Sequence, residues 1–484
     1  MNFLNPNTSG MTTAGAMSQG EFESLQKALE AGYETNMQGM QGGSALRIQS
    51  LDTTLQATVQ DNSHFALFNA LPKPRATAVL DEWTEQSEIG GFFGSTFNTQ
   101  DGAAMQTNGS YTRMVGQVKY LTTYRSVPII LERQNNIEDV VTLETMNGAK
   151  QLLTDIEIGL FEGDDGVLPL SFPGIRKQIE SLGSSDHVID MRGSPLTAID
   201  AISTAAEVIF GFGNFGKATD IYVSPSTQTD LNNGLDPAFR VVQSGQASST
   251  VRGTAVTGIQ TSFGQIKTKS DVFIRDERMK QPFETYSAQT LQIAVNNASF
   301  KPQGVALSAN GADVNSQFSA AQAGNYYWAV AGINQAGQTQ AVVSAQGAVV
   351  GGGSMKLTIT ASAGQAETGY VIYRGRLNGT NQLSDVREMA RIPYVAGNAT
   401  TVYTDTNAEI PGSTSAFILN LSPSDHAIAW RQYLPMLKIP MAAVNSPIQP
   451  WLQMICGYLR ISKRKQHVVV KNIVTNSQAW RPFN

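Results

Sequence analysis

Four clusters in this chain could do chemistry. Gly211-Phe212-Gly213-Asn214-Phe215-Gly216 has the G-x-G-x-x-G spacing of a dinucleotide site. That turn must follow a strand and open a helix, so that pyrophosphate meets the helix N-terminus. Here the local pattern gives a helix before it (Thr197 to Phe210) and a strand after it (Thr219 to Val223), so it reads as a glycine-rich connection and no cofactor is expected. Asp186, His187 and Asp190 match no strong metal-ligand spacing and read as a polar loop. Glu162, Asp164 and Asp165 lack the graded oxygen spacing of a calcium loop and read as a solvated helix end. Lys463-Arg464-Lys465 is the densest basic run, but three charges make a weak phosphate footprint. A strand turn or an inter-subunit ion pair is favoured there over a DNA-facing role. None of the histidines, His64, His187, His426 and His467, has a nucleophile at an informative spacing, and neither G-x-S-x-G nor H-E-x-x-H occurs. No catalytic, cofactor or metal residue is assigned, and the chain is not expected to be an enzyme.

Composition narrows the classes further. At 484 residues the chain is too long for one ordinary core. It carries 34 basic and 39 acidic residues, a net charge of −5, where a nucleic-acid reader is usually basic on its binding face. Any DNA nearby is enclosed rather than gripped. The single Cys456 rules out an intrachain disulfide and a thiolate cluster. No apolar run approaches the ~18 residues of a membrane span, and Met1 to Pro6 does not begin a secretory signal.

The elements that would position any site come in a definite order. Residues 1–50 are rich in Gly, Met, Gln, Ser and Thr, with one amphipathic stretch, Glu21 to Tyr33, that sets Phe22, Leu25, Ala28 and Leu29 on one face. A helix in 51–70 leads to Leu71-Pro72-Lys73-Pro74-Arg75 and a strand around Thr77 to Trp83. Residues 90–126 read as a long β-hairpin with a polar tip (Gly90 to Gly109) and a return strand from Tyr111 to Leu121. Neither face of that strand is cleanly apolar, and Phe92, Phe93 and Phe97 would sit poorly in water, so a partner should cover them. Ile137 to Glu162 is a helix, roughly 39 Å long, with Val141, Ala149, Leu153, Ile156 and Leu160 at helical spacing and Asn135 or Asn136 as cap. Gly163 to Gly166 stops it. Helix and strand alternate over 166–300, with strands at Ser262 to Lys267 and Val272 to Ile274, and a helix opened by Ser224-Pro225. Near 303 the character changes to short alternating strands, such as Gly369 to Gly375 and Thr401 to Asp405, and near 420 it changes back. An all-β sandwich inserted at a surface loop, and presented outward, accounts for this. Asp425 to Leu434 then reads as helix or loop, and Gly457 to Ile461 and His467 to Ile473 as strands.

This order of arm, hairpin, long helix, mixed α/β domain and closing strand resembles the major capsid proteins of tailed bacteriophages, the Hong Kong 97 fold. Ser50-Leu51-Asp52-Thr53-Thr54-Leu55 with Phe68-Asn69-Ala70-Leu71-Pro72-Lys73, Asp220-Ile221-Tyr222-Val223-Ser224-Pro225, and His467-Val468-Val469-Val470-Lys471-Asn472 are similar to stretches of that family. The implied fold is α+β. Residues 1–75 would be the N-terminal arm, and 76–165 the extended loop and spine helix of a peripheral domain. Residues 166–301 with 419–451 would form the axial domain, 302–418 an immunoglobulin-like or fibronectin-type-III-like insertion, and 452–484 the closing peripheral strands.

The implied function is self-assembly into hexamers and pentamers of an icosahedral head in the bacterial host cytoplasm. The head encloses double-stranded DNA without sequence-specific binding and engages portal, scaffold and decoration proteins, with no membrane. Phe92, Phe93, Phe97, Arg113, Lys119, Phe22 and Leu25 are the candidate inter-subunit contacts. Residues 85–118 hold no lysine, so no covalent crosslink through the extended loop is expected. A linker replacing 303–418 is expected to spare assembly. An encapsulin-like compartment, a tail or baseplate component, and an enzyme carrying a carbohydrate-binding module are the alternatives.

Overall fold

The computed structural model describes residues 64–133, 139–197, 199–234, 257–282, 299–443 and 446–483. The amphipathic stretch with Phe22 and Leu25, residues 51–63 and the caps Asn135 and Asn136 lie outside them.

The body is α+β, and a six-stranded mixed sheet organises one half of it. Its strand order is Val188–Asp190, Val468–Ile473, Thr414–Leu419, Asp220–Val223, Gly264–Ser270, Gly258–Thr261. The central strands are near-continuous apolar runs because the sheet is buried on both faces. Tyr222, Phe417 and Val469 point into one core, while Ile221, Ile418, Val468 and Val470 point into a second with Ile202, Ala205 and Ile209 of the Asp200–Phe210 helix. That is the period of two that a pleated strand imposes. A second, three-stranded sheet joins Ile428–Pro440, Ile448–Ile461 and Lys119–Pro128.

The long helix, Val140–Glu162, shares the first core with both sheets through Leu152, Ile156, Leu160 and Phe161. At about 1.5 Å per residue it spans roughly 34 Å. Its buried stripe is displaced from the expected one: Leu153 is half-buried, whereas Gly148 and Glu157 are buried. Gly148 lies against Gln453, whose side chain fills the space a Cβ would need. The helix stops at Gly163 as expected, and a Cβ there would stand 2.5 Å from the carbonyl oxygens of Gly159 and Phe172. Ser224 Oγ accepts the Thr227 amide at 3.4 Å and so caps the Pro225–Gly234 helix.

Several expectations are corrected. The first hairpin strand runs Leu80–Glu88 rather than starting at Thr77. The return strand breaks at buried Val118, so Ser110–Gln117 pairs with Leu80–Glu88 while Lys119–Pro128 joins the other sheet. Val272 to Ile274 is a turn, closed by the Phe273 amide donating to Asp271 Oδ1 at 2.9 Å. Asp425 to Leu434 is neither helix nor loop over most of its length. Ile428–Pro440 is a strand because buried Trp430 needs the Ile448–Ile461 ladder beside it. Ile428–Pro440, from the part assigned to 419–451, supplies a strand to the three-stranded sheet beside Ile448–Ile461, and only Val468–Ile473 of the closing part lies inside the six-stranded one.

Residues 304–405 form a module of two principal sheets. One has Gly337–Gln338, Trp328–Asn334, Gly369–Gly375 and Val386–Pro393 in order, with Val342–Val343 at its side; the other has Thr400–Asp405, Ser354–Thr360 and Gly304–Asn310. Trp328, Val330, Tyr370 and Ile372 meet Met355, Leu357 and Ile359 in one core. The expected boundary at 418 is too late, since Thr414–Leu419 is an interior strand of the body sheet. The module is also docked rather than held outward: Ala329, Ala331, Val371 and Tyr373, on the opposite face of its first sheet, pack with Val167 just beyond the long helix.

Candidate assembly surface and the charged seam

The hairpin is fixed at its root and uncovered at its tip. At the root, Asp81 accepts from Arg431 at 2.7 and 3.0 Å and from the Tyr458 hydroxyl at 2.7 Å. Burial opposes the Asp81 charge, but these donors prevail and hold its carboxyl below the usual range. Gly116 leaves room for the Tyr458 ring, which occupies the place of a Cβ. Arg464 reaches Glu85 at 3.2 Å, so one charge of the basic run is paired within the chain.

Beyond the root no sheet continues. The tip is held by local turns, with the Ser95 amide donating to the Phe92 carbonyl at 2.9 Å and Asn98 Nδ2 to the Gly102 carbonyl at 2.8 Å. Phe92, Phe93 and Phe97 are 67%, 95% and 75% exposed, and Phe93 meets Phe97 edge-on at 5.9 Å. Ile89, Met105, Tyr111 and Val115 extend the same apolar exposure. The other two described candidates each make a contact within the subunit. Arg113 pairs with Glu82 across the hairpin, and Lys119 Nζ donates to the Pro169 carbonyl at 2.9 Å.

The glycine-rich run has a helix before it and a strand after it, as the sequence implied, and places Phe212 in the open at 98% exposure. Asp186, His187 and Asp190 do not form the expected polar loop: they lie on a short helical turn and the strand Val188–Asp190, held by the distant closing strand. His187 Nδ1 lies 3.2 Å from the His467 carbonyl, and Asp190 Oδ1 accepts from Asn472 Nδ2 at 2.7 Å.

Sequence reasoning missed two features. The first is the seam between body and module. Glu162 and Asp164 do not form a merely solvated helix end; Asp164 pairs with Lys177 at 3.1 Å, and Glu162 faces Arg275 at 3.8 Å. Arg275 also donates to Glu388 at 2.8 Å, and Arg176 to Glu180 at 2.8 Å and to Glu409 at 2.6 Å. Burial alone would raise the Glu409 pKa, yet Arg176 and Lys471 hold it down to about 2. The charges in Val386-Arg387-Glu388-Met389-Ala390-Arg391, on an otherwise buried strand, were the readable signal. The C-terminal tail closes the same seam. Trp480 Nε1 donates to the Asp385 carbonyl at 3.0 Å, Arg387 lies 5.0 Å over the Trp480 ring, and the Leu377 amide donates to the Pro482 carbonyl at 2.9 Å.

The second is a buried acid pair. Glu157 accepts the amides of Leu67 at 2.7 Å and Phe68 at 3.0 Å, and thereby holds the Ala66–Ala70 helix to the long helix. Burial first, and then the adjacent Asp271 carboxyl, pushes the Glu157 pKa far above its ordinary range. A proton retained between the two carboxyls follows.

No protein-family model matches the chain. It is 24% identical over 471 residues to a protein of Enterococcus phage phiEF24C, covering 93% of this chain and 95% of that one. It is 22% identical over 462 residues to the major capsid proteins of Staphylococcus phages S25-3 and K, with the same coverage. Among solved structures, the capsid of the native GTA particle aligns with a TM-score of 0.48 at 8% identity, over 91% of this chain and 100% of that one. The capsid of cyanophage P-SCSP1u aligns at 0.45 and 8%, over 91% and 96% of the respective chains. The holo-SrpI encapsulin of Synechococcus elongatus PCC 7942 aligns at 0.39 and 8%, over 91% and 97%.

Proposed function

We propose that this chain is the major capsid protein of a tailed phage, built on the Hong Kong 97-type fold and working by self-assembly rather than catalysis. The observation that carries the reading is the near end-to-end similarity to major capsid proteins, 93% of this chain against 95% of each relative. A match of that extent takes in body and inserted module together. The hairpin gives the reading a physical mechanism. A root locked by Asp81, Arg431 and Tyr458 aims a tip whose aromatic rings find no cover among the described residues.

A neighbouring copy supplies that cover. Obligate interfaces bury on the order of 2,000 Å² or more, and many such contacts closing one surface act together. In this reading hexamers and pentamers tile an icosahedral head in the host cytoplasm. The head encloses double-stranded DNA without reading its sequence, in keeping with a net charge of −5. Portal, scaffold and decoration proteins are separate chains.

Expression of the chain alone, followed by negative-stain microscopy and sedimentation velocity, tests this. Closed shells or hexameric rings are expected. A compact monomer that stays monomeric at high concentration would refute it.

A further inference from the structure

The seam between body and module lines a half-open cavity of about 180 Å³, room for several waters at about 30 Å³ each. Its charges do not all find partners. Glu388, Glu409, Glu180 and Asp164 each lie within 3.1 Å of an arginine or lysine nitrogen, and Glu162 lies 3.8 Å from Arg275. Lys280 lines the cavity and is only 5% exposed. Glu162 and Glu388 act on it through space, but among the described residues no carboxylate lies within ion-pair distance of its ammonium.

A buried ammonium without an acceptor is costly as an ion, because nothing replaces the water it loses. Burial is the main cause that draws the Lys280 pKa down, and Arg176 and Arg275 add to it against the opposing pull of Glu162 and Glu388. The missing partner is therefore an anion, and the carboxylates of the wall are already engaged with other cations.

We propose that this cavity binds one small inorganic oxyanion of the phosphate type, held by Lys280 with Arg176 on its flank. The volume excludes a nucleic-acid strand, and Glu162 and Glu388 on the same wall limit the charge it tolerates. Lys280 and Arg176 come from the body, whereas Glu388 to Arg391 come from the module. An occupied site therefore bridges the two and tightens the docking. This inference goes beyond the capsid reading and stands or falls without it.

The test is titration of the full chain with inorganic phosphate, followed by ³¹P line broadening and calorimetry, for the unaltered protein and for Lys280→Met, Lys280→Gln and Lys280→Arg. Circular dichroism establishes that each variant is folded. One phosphate per chain is expected. Loss of a charge-assisted hydrogen bond should weaken binding about 10- to 100-fold in the Met and Gln variants, while Lys280→Arg should retain most of it and Glu162→Gln should tighten it. Absence of phosphate binding by the unaltered chain, or equal binding by Lys280→Met, would overturn the assignment.

Discussion

Replacing Phe92 and Phe93 together by alanine separates folding from assembly. On the subunit the two rings are 67% and 95% exposed, so their removal takes almost no packing from the isolated chain. Surface changes of this kind usually cost within about 0.5 kcal/mol, and the melting temperature should hardly move. In a shell the same rings lose their water. Fully burying a phenylalanine contributes about 1.5–3 kcal/mol, and the exposed surface of the pair amounts to rather more than one and a half rings. The assembled contact should therefore lose about 2–5 kcal/mol, or between about 30- and 3,000-fold in affinity per hairpin. Ordering of the tip offsets part of the gross gain in both proteins and largely cancels in the difference. Sedimentation velocity across a concentration series, with microscopy of the same samples, reads the outcome. A folded double variant that needs far higher concentration to close shells is expected. Assembly at the concentration that suffices for the unaltered chain would show that the tip is not buried between copies, and the hairpin mechanism would fail.

Other outcomes follow from the seam and the buried acids. Trp480→Ala should cost about 3–5 kcal/mol of local stability and release the tail, seen as faster proteolysis near Leu377 and Asp385; an unchanged cleavage pattern would show that the tail does not hold the module. The Glu157 and Asp271 pKa values both lie above their unfolded values, burial being the main cause. The folded chain therefore holds more protons than the unfolded one, and stability falls as pH rises above the ordinary carboxylate range. Glu157→Gln should flatten that slope in urea midpoints measured from pH 5 to 8, by on the order of 1 kcal/mol per pH unit at most, and a slope that persists in Glu157→Gln would disprove the shared proton. A linker replacing 303–418 should yield insoluble chain, because it removes the strand between Val468–Ile473 and Asp220–Val223. One replacing 304–405 should fold with a lowered melting temperature, and equal behaviour of the two deletions would contradict the sheet order.

The sequence carried what is periodic or punctuated. Glycine at 163 ended the long helix, Ser224-Pro225 opened another, and Val468-Val469-Val470 announced a strand buried on both faces. It hid what depends on pairing at a distance. Val118 looked like one more alternating residue, and only the Ile448–Ile461 ladder shows that the strand changes sheets there. Thr414 to Leu419 follows the module without a break in composition, yet its partners lie about two hundred residues earlier and fifty later. Glu157 occupies a helical position where a carboxylate normally faces water, and its partners, Leu67 and Asp271, come from either side of it in the chain.

The seam bears most directly on function, and it was the least legible part. Most of its ion pairs join segments that are separately ordinary: an acidic helix end, the short basic helix Ile175–Glu180 and a charged strand in the module. Local reading gave the acidic helix end to solvent. Brought together they make the junction polar and specific in geometry, where an apolar junction would tolerate sliding. A subunit that must present the same outer surface at every position of a curved wall needs its module at a fixed angle. Charges that pair only in one arrangement supply that constraint, and the Trp480 tail, added last in the chain, closes it.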